Sequence, residues 1–139
     1  MSANIWAPEL HRIDGSWYIY FAAGKAEEPF HIRTYVLKNS SADPFQGQWQ
    51  ELGPLNTGWD SFNLDATHFE HQGQHYLIWA QQDKNQSYNS ALWIAKMRSA
   101  TELELPATLL TEPTLDWERL GYKVNEGPAV LIKNGNVWL

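Results

Sequence analysis

Cysteine is absent from the 139 residues. That excludes disulfides, a thiolate metal site and a cysteine nucleophile, and it is compatible with any compartment. Basic residues are scarce: ten Lys and Arg stand against sixteen Asp and Glu, for a net charge of −6. A nucleic acid or an anionic membrane surface would require a basic face, so neither is an expected partner. No apolar run reaches the length needed to span a bilayer as a helix. No charged-then-apolar leader follows Met1, which makes the cytoplasm the default expectation and leaves the compartment undecided. There is no Gly-rich phosphate loop and no nucleophile elbow.

What the chain does have is aromatic rings, at 14% of residues and including eight Trp. Rings in this density suit a β-rich core or a surface that stacks flat neutral ligands, of which sugars are the usual kind. It also has a repeat. Trp6-Ala-Pro-Glu9 leads through Asp14-Gly15 to Tyr18, Leu64-Asp-Ala-Thr67 through Gln72-Gly73 to Tyr76, and Asn125-Glu-Gly-Pro128 through Asn134-Gly135 to Trp138. In each copy an acidic residue opens an alternating stretch, a glycine closes a turn, and an aromatic follows three positions later. A supersecondary unit that recurs in this way signals a repeat architecture.

Strands are expected over residues 7–13, 17–23, 31–37 and 49–55, joined first by an Asp-Gly hairpin turn. The same order follows over 65–71, 76–81, 91–97 and 107–110, with 102–106 as a connection. A last strand is expected at 128–132 before the Asn134-Gly135 turn. Four-stranded antiparallel meanders are the blades of β-propellers. The chain is therefore expected to be all-β and about two and a half blades of a propeller: 5–57, 64–112, and the start of a further blade at 125–139. A closed ring needs four or more blades, so the expectation is a piece of a larger propeller, with open sheet edges through which it could self-associate.

The first strand of each blade lines the central channel. Asp65 lies eight residues before its turn glycine and Glu126 nine, so both acids are expected at nearly one height on neighbouring inner strands. Two carboxylates converging on an aromatic-lined pocket suit glycoside hydrolysis, which needs one protonated and one ionised acid. Either could equally be a turn-capping residue. Glu9 is offset, at six residues, and reads as structural support. Trp6, Trp59 and Phe62 precede inner strands and are the candidate sugar platforms, whereas Trp17, Trp79 and Trp93 sit in apolar strands and read as core. Alternation sends His68 and His71 to opposite faces, which argues against a metal site.

These motifs, with Asp116-Trp-Glu118 and Leu92-Trp-Ile-Ala-Lys-Met97, closely resemble glycoside hydrolase family 43, in its arabinofuranosidase-type members. The resemblance runs over essentially the whole chain. It implies a five-bladed β-propeller and an inverting hydrolase of α-L-arabinofuranosides or β-D-xylosides in plant oligosaccharides and polysaccharides. By motif match it makes Glu126 the general acid, Asp65 the acid that orients the catalytic pair and tunes its pKa, and the Trp6–Glu9 motif a support of the pocket floor. It also implies that the general-base Asp belongs to a blade not in this sequence, as does a central His that helps to hold a metal ion; no cofactor is expected from the present residues. The chain alone is then expected to be inactive. A non-catalytic carbohydrate-binding unit and a self-assembling propeller fragment are the alternatives.

Overall fold

The computed structural model describes residues 3–139 and is all-β apart from one short 3-10 helix. The first sheet runs in the order β1 (Ala3–Ile13), β2 (Ser16–Gly24), β3 (Arg33–Asn39), β4 (Gln50–Pro54). The second runs β5 (Asn63–His71), β6 (Gln74–Gln81), β7 (Ala91–Ser99), with β9 (Thr108–Thr111) on the outer side of β7. All of these pairs are antiparallel. The first sheet is thus a four-stranded meander and the second is the same meander with one further short strand beside β7, each one blade of a propeller. A hairpin of β10 (Leu131–Lys133) and β11 (Asn136–Trp138) begins a third unit.

The same turn closes the inner hairpin of all three units. Asp14-Gly15, Gln72-Gly73 and Asn134-Gly135 each place both central residues at positive φ, between 48° and 80°. This left-handed pair matches the twist of the flanking strands, and glycine at its second position adopts it without steric cost.

Most strand ends lie within one or two residues of the sequence reading, and three departures are larger. β1 starts four residues early because Ala3 and Trp6 pair with Gly24 and Ala22 through two bulges. The stretch 102–106 is not only a connection: Glu102–Leu103 forms β8 against the end of β7. The strand expected at 128–132 is confined to Leu131–Lys133. Pro128 has no N–H to give a ladder, and residues 125–130 are held from the side by the second blade instead of by a sheet partner.

The main core lies between the two blades. Ile13, Tyr18, Tyr20, Val36 and Leu55 pack against Ala66, Leu77, Trp79, Ala95, Met97 and Leu103. β2 and β6 are buried on both faces over most of their length, as their near-continuous apolar sequences require. Tyr20 crosses this interface, its hydroxyl donating to the Ala100 carbonyl at 2.6 Å. Burial drives the phenol's pKa upward. Replacing Tyr20 by Phe keeps the ring and leaves the buried carbonyl without its donor, at a cost of about 1–3 kcal/mol. Thermal denaturation should show a lower midpoint for Tyr20→Phe with an unchanged circular dichroism spectrum; an unchanged midpoint would mean that the bond adds nothing between the blades.

Candidate active site

The three inner segments carry the same backbone irregularity. Ala7, Asp65 and Gly127 each stand eight residues before the turn glycine of their unit, and each has positive φ: 44°, 54° and 61°. In the two complete blades this residue starts a bulge, between the pairs Trp6↔Ala22 and Glu9↔Tyr20 in the first and Leu64↔Ala80 and Thr67↔Ile78 in the second. A bulge re-aims side chains and often lies beside a functional site. A non-glycine residue held in this region costs on the order of 1–3 kcal/mol, and aspartate tolerates it better than most residues.

The same count sets the two acids one position apart. Asp65 corresponds to Gly127, and Glu126 corresponds to Trp6 and Leu64. The two acids nevertheless meet, one peptide apart. Asp65 Oδ2 accepts a hydrogen bond from the Gly127 N–H at 3.0 Å, so the Asp65 side chain grips the peptide that follows Glu126. Burial raises the Asp65 pKa; the Gly127 N–H opposes that rise and the nearby Glu9 charge adds to it. A cavity of about 440 Å³ collects Glu9, Asp65 and Gly127 at this junction of the three units.

The Glu126 side chain itself is held by the second blade. Its Oε1 accepts from the hydroxyl of Ser90 at 2.7 Å, and Ser90 is fully buried immediately before β7. Backbone bonds reinforce the contact: Asn125 N–H donates to Ser90 O at 3.1 Å, and Asn89 N–H to Lys123 O at 2.8 Å. Asn125 meets Thr111 Oγ1 at 3.0 Å. The carboxylate of Glu126 is exposed to a cleft of about 590 Å³ walled by Trp6, Phe30, Phe62, Leu64 and Tyr122. A solvent-facing acid with one oxygen fixed among aromatic walls can deliver a proton to a bound ligand. The 3-10 helix η1 (Asp116–Arg119) lies at the neighbouring cleft that Glu126 also lines. Glu118 Oε2 accepts from the N–H groups of Thr114 and Leu115 at 2.8 and 2.7 Å, which fixes that turn.

Of the expected platforms, Trp6 and Phe62 wall the Glu126 cleft and Trp59 does not. The Trp59 indole N–H donates to Gln82 O at 2.9 Å, and its ring meets that of Trp93 edge-on. Ser90, Phe30 and Tyr122 went unnoticed in the sequence. Ser90 gave no signal, because only the parallel bridge between Ser90 and Val124 brings it to Glu126.

Three histidines form a chain between the blades. Glu9 Oε2 lies 3.0 Å from His11 Nε2, the His11 and His68 rings meet edge to face at 5.3 Å, and His68 Nε2 lies 2.9 Å from His75 Nδ1. Asp14 flanks His75 at 3.8 Å. His71 is not in this chain; the partner of His68 comes from the paired strand. Among the described residues no three His, Asp or Glu side chains are arranged to hold a metal ion. Burial, with His11 and His75 adding, lowers the His68 pKa from 6.5 to about 4, against a small opposing pull from Asp14. The folded state therefore binds fewer protons than the unfolded state between these values, so its stability is fully present above pH 6.5 and is lost as pH falls towards 4. His11 is lowered by burial too, against the pull of Glu9, and acts in the same direction. With His68 only partly buried, the loss should be about 1–2 kcal/mol. Denaturant midpoints measured from pH 7 to 4 should fall for the wild type and flatten in His68→Gln; parallel profiles would remove His68 as the cause.

Comparison with known proteins places the chain among glycoside hydrolases. The family model for Glycosyl hydrolases family 43 matches residues 1–139. An extracellular exo-α-(1→5)-L-arabinofuranosidase of Streptomyces chartreusis is 50% identical over 139 residues, which are 100% of this chain and 42% of that protein. Alpha-L-arabinofuranosidase 43 of Humicola insolens is 48% identical over 99% of this chain and 29% of its own length. The crystal structure of an α-L-arabinofuranosidase from Lactobacillus brevis superposes with a TM-score of 0.89 at 44% identity, covering 96% of this chain and 43% of that one. The chain thus spans less than half the length of these relatives.

Proposed function

The chain belongs to glycosyl hydrolases family 43, and from that premise we propose that it forms the general-acid side of an inverting exo-α-L-arabinofuranosidase. Glu126 in its protonated form gives a proton to the glycosidic oxygen as the C–O bond breaks, and a water molecule attacks the anomeric carbon from the opposite face. Ser90 positions Glu126 through Oε1. Asp65 positions it through the Gly127 N–H, in the orienting role that the family pattern assigns to this acid. Trp6 and Phe62 stack on the sugar, and Glu9 supports the floor. The observation that carries this reading is the exposed Glu126 carboxylate, fixed by Ser90 in an aromatic cleft and tied to Asp65 through one peptide.

An arabinoside is favoured over a xyloside, because the relatives quoted above are named arabinofuranosidases. The base that activates water must stand about 6.5–9.5 Å from the acid. In the family pattern it comes from a blade outside these residues, and so does any ligand to a metal in the channel.

The test is hydrolysis of an α-(1→5)-L-arabino-oligosaccharide by the 139-residue chain alone and by the chain joined to the blades its longer relatives carry. Arabinose release by the joined protein only, with inverted anomeric configuration in the first product detected by NMR, is the expected result. Release by the short chain at a comparable rate would sink the assignment of the base to another blade. Retention of configuration would sink the mechanism.

A further inference from the structure

Trp59, set apart from the Glu126 cleft, opens a second one. We infer that the corner formed by Trp59 and Trp93 is a second saccharide-binding site, which holds an inner unit of the same neutral oligosaccharide whose end enters the Glu126 cleft. The inference rests on the arabinoside reading above for the identity of the sugar.

The two indoles meet at 73° with centroids 4.8 Å apart, which makes two walls at nearly a right angle. Both are fixed by their N–H groups. Trp59 donates to Gln82 O at 2.9 Å and Trp93 to Gln81 O at 3.3 Å, so neither ring has to be ordered when a ligand arrives. Both remain partly exposed, and they line a cavity of about 410 Å³ with Asp60, Asp83, Lys84 and Asn85. That volume falls within the range of about 300–1,000 Å³ typical of small-ligand sites.

The polar rim suits hydroxyl groups more than an ion. Asp60 is already paired with Arg33. Asp83 Oδ1 accepts from the Asn85 backbone N–H at 2.9 Å and from its side chain at 3.1 Å, which leaves the carboxylate with further acceptor sites. Lys84 supplies a donor of the opposite charge. Balanced donors and acceptors beside apolar ring faces match a sugar, whose C–H face stacks while its hydroxyls bond outward. Unlike the Glu126 cleft, this one is built entirely by the first two blades and their linker.

The two clefts share a frame. Phe62 and Trp59 lie on the same linker, three residues apart, which is at most about 10 Å of chain. Gln82 ties them together: its N–H donates to Phe62 O at 2.9 Å, and its carbonyl accepts from Trp59. A ligand of several units can therefore occupy both.

The experiment titrates the ¹⁵N-labelled 139-residue chain with α-(1→5)-L-arabinotetraose and follows the Trp indole N–H signals by NMR, assigned from single Trp replacements. Saturable shifts at Trp59 and Trp93 are expected. Trp59→Leu should weaken binding at least tenfold, and Asn85→Ala and Lys84→Ala, both at exposed positions, several-fold without change in melting temperature. Shifts at Trp6 with Trp59 and Trp93 silent would overturn the inference and spare the proposed function. Shifts at Trp59 and Trp93 with Trp6 silent would support it and count against the Glu126 cleft as the sugar site. The absence of any shift, or unchanged affinity in all three variants, would overturn it outright.

Discussion

Glu126→Gln, made in the chain joined to its missing blades, is expected to slow arabino-oligosaccharide hydrolysis by about 10²–10⁴-fold, the usual contribution of general acid catalysis. The substitution isolates the proton. Glutamine keeps the length of the side chain and an amide oxygen that still accepts from Ser90 Oγ, the bond of 2.7 Å that fixes Glu126. Only the transferable hydrogen is lost. The loss should therefore depend on the leaving group. A sugar hydroxyl leaves poorly without protonation, so turnover of the oligosaccharide should collapse. An aryl arabinofuranoside whose phenol is acidic needs little help, so its rate should fall far less. A uniform loss on both substrates would mean that Glu126 does something other than protonate the leaving oxygen. Ser90→Ala provides the complement: it leaves the proton and frees the carboxylate, so the loss should be smaller and should again fall mainly on the oligosaccharide rather than on the aryl arabinofuranoside, a leaving-group dependence that a purely structural role of Ser90 would not cause.

This asymmetry between Glu126 and its supports is also what the sequence reveals unevenly. The strands, the hairpin turns and the motif carrying Glu126 are legible, because period-2 alternation and a residue-glycine turn are local signals. The bulges are harder. Nothing in Ala7 announces a left-handed backbone, although Ala7, Asp65 and Gly127 all lie at the same count from their glycines, and that count was the available clue. Asp65, at eight residues, and Glu126, at nine, stand one position apart in this count. Contacts that depend on cross-strand register were out of reach. His68 finds His75 because β5 and β6 pair Glu70 with His75, and alternation along one strand cannot say so. Trp59 and Phe62 look alike in sequence, yet one indole N–H bonded to Gln82 turns the first away from the cleft that the second helps to wall.

Trp79→Ala should have the largest effect on stability of any single substitution, because Trp79 belongs to both blades at once. It is fully buried in the core that Ile13, Tyr20 and Val36 of the first sheet share with Leu77, Ala95 and Met97 of the second. Its indole N–H donates to Gln81 Oε1 at 2.6 Å. The Gln81 amide in turn donates to Trp59 O at 3.0 Å and to Ser61 Oγ at 3.1 Å, which fastens the linker between the blades. Truncation leaves a cavity worth about 3–5 kcal/mol. It also strips the donor from a buried amide oxygen, at about 1–3 kcal/mol more. Against a total stability of about 5–15 kcal/mol, the sum approaches global unfolding. Trp93→Ala is the internal control: that residue is only partly buried at the edge of the same core, and its removal should cost clearly less. Because the core is made from both sheets, the wild-type blades should melt together, with circular dichroism and tryptophan fluorescence giving one midpoint. A Trp79→Ala protein that still melts in one transition close to the wild-type midpoint would refute this picture. Two separated transitions in the wild type would place the stability within each blade instead of between them.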